Sequence, residues 1–140
     1  MMEGRQDTFT SIGLLVLRIG TGGLLLAGHG WSKLAHFSER AESFANPIGI
    51  GPVPGFVFVV FSEVLCASLV MLGLVTRVAV VPIIGFLMVA GFIHHSLDPW
   101  TRRELAFVFL VPFVTLFFTG PGKYSLDERI WPTRAARKKT

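Results

Sequence analysis

Cysteine is nearly missing from this chain: there is one, Cys66. A single thiol cannot close an intrachain disulfide or form a dithiol redox pair, so both are excluded for the chain on its own. Charge is scarce as well. Asp, Glu, Lys and Arg make up 16% of 140 residues, against about a quarter in a soluble domain. The charges that exist are clustered near the N-terminus, at 33–42, at 98–104 and from 123 onward. There is no internal repeat, no glycine-rich phosphate loop, no nucleophile triad and no nucleic-acid-binding pattern. What remains is apolar: hydrophobic residues are 51% of the chain, gathered in long tracts between the charged clusters. That alternation is how a membrane chain separates spans from loops.

Four spans fit the tracts, at residues 11–34, 54–75, 77–95 and 102–119. At ~1.5 Å rise per residue, each is long enough to cross a ~30 Å hydrocarbon core. A soluble bundle would need polar helix faces. The stretch VFVVFSEVLCASLVMLGLV offers only Ser62, Glu63 and Ser68. Helix punctuation agrees with these limits. Asn46-Pro-Ile-Gly-Ile-Gly-Pro52 precedes the second span, Gly73 and Thr76 mark a tight turn, and Gly120-Pro121-Gly122 ends the fourth. Pro82 and Pro112 fall inside helices, where each removes a backbone hydrogen bond, so a kink or a buried partner is expected there. The leading MMEGRQDTFTS carries Glu3 and Asp7 beside Arg5. No Ala-x-Ala site follows it, and Arg18 interrupts the apolar tract. The first tract is therefore expected to be a retained helix rather than a cleaved signal. The fold class expected is all-α: one membrane domain over 1–140, a bundle of four transmembrane helices with a basic tail at 123–140.

Orientation follows from Lys and Arg. One side would carry Arg5, Arg77, Lys123, Arg129, Arg134, Arg137, Lys138 and Lys139; the other Lys33, Arg40, Arg102 and Arg103. The excess places both termini in the cytoplasm. In the tail, Ser125-x-x-Glu128 reads as a capping box for a short interfacial helix, with Leu126, Ile130 and Trp131 against lipid. The basic end RAARKK would lie near anionic headgroups. A solvated tail that only sets topology is the simpler alternative.

The informative residues are ionisable groups in or beside the spans, because a charge in the bilayer costs several kcal/mol and normally has a partner inside the bundle. Arg18 and His29 are eleven residues apart, about three turns, and share a helix face with Lys33 nearby. Glu63 lies mid-way along the second span, His94 and His95 end the third, and Glu104 begins the fourth. With the termini inside, His29, Lys33, Glu63, His94, His95 and Glu104 converge on the outer half. Arg18 lies deeper, with Glu63 in reach of its long side chain. The candidate ligand-binding or proton-handling set is thus His29, Lys33, Glu63, Arg18, His94 and Glu104. Each has a structural alternative: Glu63 as a packing ion pair, Arg18 as its partner, Lys33 as a snorkelling anchor, the histidines as interfacial residues. Haem ligation by His29 and His94 is conceivable. His94, His95 and Glu104 match no zinc spacing, so no metal is expected. The glycines of the first helix, with His29 between Gly28 and Gly30, make it thin enough for close approach by a neighbour. Cys66 is expected to be a small buried packing residue.

The segment LRIGTGGLLLAGHGWSKL, with Arg18, His29, Gly30 and Lys33, resembles the start of the DoxX family of small bacterial membrane proteins. Glu63 followed by LGLVTR, MVAGF at 88–92 and GPGKYSLDE at 120–128 are similar to the family's later elements, in the same order. The resemblance covers about residues 12–130. It implies a multi-pass protein of the bacterial cytoplasmic membrane. Through the family's relation to the small subunit of a thiosulfate:quinone oxidoreductase, it also implies a link to membrane redox complexes and to thiol and oxidative-stress handling. A quinone-reactive role would suit His29, Lys33 and Glu63, since a carbonyl ligand needs donors and a proton source. No flavin, haem or iron–sulfur motif is visible, so electron transfer would need a redox partner protein or a bound quinone. Two other functions stay open: a non-catalytic scaffold or assembly partner, and a solute or proton transporter. Four helices are few for alternating access, so a transporter would require a homo-oligomer.

Overall fold

A computed structural model describes residues 2–132, with side chains from residue 7 onward. Among the described residues there are helices and turns and no strand. Helix α1 runs Met2–Leu25, passes through a π-helical turn at Leu26–Gly30 and continues as Trp31–Ala35. The short α2 follows at Phe37–Arg40. Helix α3 begins with Pro52 in its first turn, where proline's missing N–H costs nothing. It runs Pro52–Val60, through a π segment at Phe61–Cys66, to Ala67–Leu72. Helix α4 is Thr76–Met88 with a closing π segment at Val89–His94. Helix α5 is Trp100–Thr119 and α6 is Leu126–Ile130. Both α4 and α5 continue through Pro82 and Pro112 without a break. The expected helix limits hold to within a few residues, except that the first helix begins earlier. The short helix expected after Ser125 is α6, capped as its sequence suggested, with the Glu128 N–H donating to Ser125 Oγ at 3.2 Å. Its RAARKK extension lies outside the described residues.

The long helices run up and down. Each packs on the next in the order α1, α3, α4, α5, and α5 returns to α1. Leu25, Cys66, Ala67, Val70, Val80, Ile83, Phe113 and Leu116 meet along the middle, so Cys66 is a packing residue as expected. Apolar side chains also cover the outside: Val16, Leu24, Val78, Val111 and Phe118 are 65–73% exposed. Such a surface suits hydrocarbon, where close van der Waals fit rather than water exclusion holds helices together. Gly22 allows that fit, since a Cβ there would lie 2.7 Å from the Met71 side chain. Three helices, Asp7–Ala35, Pro52–Leu72 and Thr76–His94, are long and apolar enough to cross a membrane. Helix α5 is of spanning length but carries Arg102, Arg103 and Glu104 in its opening turn.

The two ends of the bundle differ. At one end everything is tied together. Arg18, fully buried, donates to Val70 O at 3.4 Å, Met71 O at 3.2 Å and Tyr124 O at 2.8 Å. The guanidinium thus occupies the C-terminal end of α3, whose free carbonyls and dipole favour a cation. Asp127 does the converse at the start of α4, accepting from Val75 N at 2.6 Å and Thr76 N at 2.9 Å, while its own N–H donates to Gly73 O at 2.8 Å. Lys123 Nζ donates to Thr8 Oγ1 at 2.9 Å. The segment after α5 is therefore bound to both α1 and the α3–α4 turn. Gly73 is required in that turn: its φ is +70°, and a Cβ would collide with the Arg18 guanidinium.

Replacing Arg18 by Met should lower stability by about 2–4 kcal/mol, because the carbonyls of Val70, Met71 and Tyr124 lose their donor. Gly73→Ala should also destabilise, through its left-handed backbone and the Arg18 contact. Gly85→Ala, at a position with open space around it, should be near neutral. Thermal unfolding of the three variants in mild detergent checks this; equal midpoints would show that the end is not held by Arg18.

Candidate functional site

At the opposite end the helices surround a cavity of about 310 Å³. All four long helices contribute: Leu25, His29 and Lys33 from α1, Phe58, Val59 and Glu63 from α3, Phe86, Leu87, Val89 and Ala90 from α4, and Arg102, Leu105, Ala106 and Phe109 from α5. The loop residues Phe44 to Ile48 and Ile50 also line it. That loop is held by Gly51 N donating to Asn46 Oδ1 at 3.0 Å and by Phe44 and Phe37 packed on Phe56. The lining is mainly apolar with a few convergent polar groups, the usual composition of a small-molecule site.

The π-helical segments bring those polar groups there. Each of α1, α3 and α4 has one, and they contain His29, Glu63 and His94 in turn. A π turn loosens the regular backbone ladder and is frequent at functional sites. In lipid the loosened carbonyls still need partners. Ser62 Oγ donates to Phe58 O at 2.8 Å, and Ser68 Oγ to Val64 O at 2.7 Å, on either side of Glu63.

The central contact is an ion pair. Lys33 Nζ lies 2.6 Å from Glu63 Oε2 and 2.9 Å from Oε1. Glu63 is nearly inaccessible, with 4% of its side chain exposed, while Lys33 retains 21%. The pair is possible because Gly30 lets α1 touch α3; a Cβ at Gly30 would sit 2.8 Å from the Glu63 carbonyl oxygen. Of the two glycines beside His29, then, Gly30 admits a neighbouring helix, and Gly28 faces open space. The His29 ring stands edge-to-face on Phe109 at 5.7 Å.

Two expectations are corrected. Arg18 does not reach Glu63: it is spent on the carbonyls at the tied end, and Lys33 is the partner instead, not a free snorkelling anchor. Glu104 does not join the site. It is exposed, with no hydrogen bond or ion pair among the described residues, and its neighbour Arg102 lines the cavity. Arg103 is engaged separately, donating from Nε to Gly91 O at 3.2 Å with its guanidinium 5.9 Å from the Phe107 ring centre. His94 and His95 both line the cavity, their rings 4.4 Å apart. His95 Nδ1 lies 2.6 Å from Asp98 Oδ2, and that hydrogen bond is the main cause holding the half-buried Asp98 carboxyl below its usual range. Sequence reasoning passed over Arg102, Phe109, Asp98 and the 44–50 loop. Arg102 was visible only as a charge at a helix start, and the loop's Asn-Pro-Ile-Gly pattern marked a turn without saying what it covers.

Lys33→Met should destabilise more than Lys33→Met combined with Glu63→Gln. The single change strands a buried carboxylate, a loss of about 3–5 kcal/mol, while the double change removes both charges. Unfolding midpoints of the two single variants and the double variant test this; additive losses would mean the two groups do not interact.

Comparison with known proteins places the sequence in context. The DoxX family profile matches residues 13–96. The chain is 31% identical over 128 residues to the uncharacterized membrane protein Rv3486 of Mycobacterium tuberculosis, covering 69% of this chain and 75% of that protein. It is 29% identical over 122 residues to the inner membrane protein YqjF of Escherichia coli, covering 83% of this chain and 90% of the relative. No solved structure matches it.

Proposed function

The chain belongs to the DoxX family of membrane proteins, and from that premise we propose that it is a four-span protein of the bacterial inner membrane whose cavity binds a quinone, as the membrane subunit of a redox system. The observation that carries this reading is the cavity itself: an apolar chamber with His29, Lys33 and Glu63 on its helical wall and His94, His95 and Arg102 also lining it. Its donor set fits a quinone. A ring carbonyl accepts hydrogen bonds, and the His29 imidazole and the Lys33 ammonium are donors. When bound, a quinone would supply two-electron, two-proton chemistry. Lys33 and Glu63 would hold exchangeable protons beside it, and the apolar lining would exclude bulk water. The electrons would come from a separate redox protein of the same membrane.

Helix α5 counts as the fourth span on this reading. Its charged opening turn would lie at the interface, where long cationic side chains reach water, next to the exposed Trp100. Exposed Trp31 at the same end, and Tyr124 and Trp131 at the other, suit the two aromatic belts of a spanning bundle. The cavity would then lie in the outer half of the bilayer, with both termini in the cytoplasm. A second reading is favoured by one observation: the Lys33–Glu63 pair is already satisfied within the chain. A non-catalytic scaffold or assembly partner needs nothing more of it than helix packing.

A fluorescent reporter fused after Thr140 should be active in the cytoplasm, and a periplasm-dependent reporter at the same site should be silent. The reverse pattern would invert the topology. Quinone-analogue binding separates the two functional readings. His29→Ala and Glu63→Gln should weaken binding by about tenfold or more, with His29→Ala retaining its unfolding midpoint. Absence of binding by the wild-type protein, with a protein partner co-purifying, would favour the scaffold.

A further inference from the structure

Helices α3 and α4 form a hairpin closed at one end only. The Gly73–Val75 turn and Asp127 fasten them there. From that point the π segment Phe61–Cys66 packs on the body of α4. Nearer the cavity, the opening turns Pro52–Val60 meet the body of α4 less extensively. These turns and the closing π segment Val89–His94 line the cavity, through Phe58 and Val59 on one side and Val89 and Ala90 on the other. Phe58 lines it and is still 41% exposed; Ile48 and Ile50 of the loop are 50% and 51% exposed. The cavity wall is therefore open between α3 and α4. Across the bundle, the His29 and Phe109 rings meet where α1 faces α5.

The position and chemistry of this opening say what passes through it. Phe58 is six residues into α3, ~9 Å along the helix at 1.5 Å per residue, and so within the depth of a ~30 Å hydrocarbon core. Phe58, Val59, Val89, Ala90, Ile48 and Ile50 along the cleft are apolar, and the polar His94 comes only at the end of the same π segment. The polar groups His29, Lys33 and Glu63 lie beyond them, on α1 and the π segment of α3. A solute from water would gain no polar contact on that path. Size points the same way. A cavity of about 310 Å³ is at the small end of ligand pockets, ~300–1,000 Å³. It has room for a ring head but not for several isoprene units besides, so a chain would have to leave by the cleft.

We propose that the cavity is filled sideways from the bilayer through the α3–α4 cleft, by a quinone whose long isoprenoid chain stays in the cleft among Phe58, Val89, Ile48 and Ile50. This rests on the quinone reading above and adds the ligand's class and its route. The test uses the full chain in lipid nanodiscs and two probes, a quinone with a long isoprenoid chain and a short-chain, water-soluble benzoquinone. Val89→Trp fills the cleft. It should raise the Kd of the long-chain probe by roughly tenfold relative to that of the short-chain probe. If thermal unfolding shows that Val89→Trp has not folded, Phe58→Trp is measured in the same way and decides. Equal effects on the two probes, or wild-type binding of the short-chain probe alone, would overturn the cleft route and leave the quinone reading standing. Failure of the wild type to bind either probe removes the quinone reading, and the route with it.

Discussion

The burial of one guanidinium sets the shape of the rest. An arginine within an apolar helix is tolerated only where the bundle supplies acceptors. Arg18 finds them in the last carbonyls of α3 and in Tyr124 O. Satisfying it draws three distant parts of the chain to one point: α1, the α3–α4 turn and the segment before α6. Asp127 completes the arrangement by capping α4. A bundle pinned this firmly at one end can leave space at the other, and the cavity lies there.

Polar residues are thereby divided between two tasks. Arg18 and Asp127 serve cohesion. His29, Lys33, Glu63, His94, His95 and Arg102 border space. Glu63 belongs partly to both, since its pairing with Lys33 also holds α1 to α3 where Gly30 lets them touch. That dual position explains why a redox subunit and a scaffold are both compatible with the same side chains, and why ligand binding rather than loss of stability separates them.

Much of this was legible in the sequence. Hydropathy located the long helices, Pro52 and Gly73 marked their ends, and Ser125 with Glu128 announced the cap of α6. The clustering of His29, Lys33, Glu63 and His94 followed from their distance along each helix. Azimuth did not. Arg18 and His29 share a stripe on paper, but His29 sits within the π turn Leu26–Gly30 and the two serve opposite ends of the bundle. Helical periodicity assumes 3.6 residues per turn throughout, so it cannot say which cation meets Glu63. At the start of α5, Arg102 and Glu104 differ in sequence by two places and in direction by more than half a turn. Only packing decides which of them borders the cavity. The roof formed by residues 44–50 was hidden for another reason: loops of this kind carry no periodic signal.

The three π turns have a consequence for the chain's tolerance of change. Such a turn takes in one residue more than the α-helical path would use. Loss of a single residue within 26–30, 61–66 or 89–94 would leave a continuous, well-formed α-helix, with ample hydropathy for the bilayer. The helix beyond the deletion would keep nearly its original facing, because the π turn had absorbed the extra residue; what would be lost is the widened turn that carries His29, Glu63 or His94. Substitutions can be absorbed one side chain at a time. At these three levels the extra residue supplies the widened turn rather than the register of the helix beyond it, and single-residue alignment gaps there would separate chains that keep the widened turns at the chamber from chains that keep only the bundle.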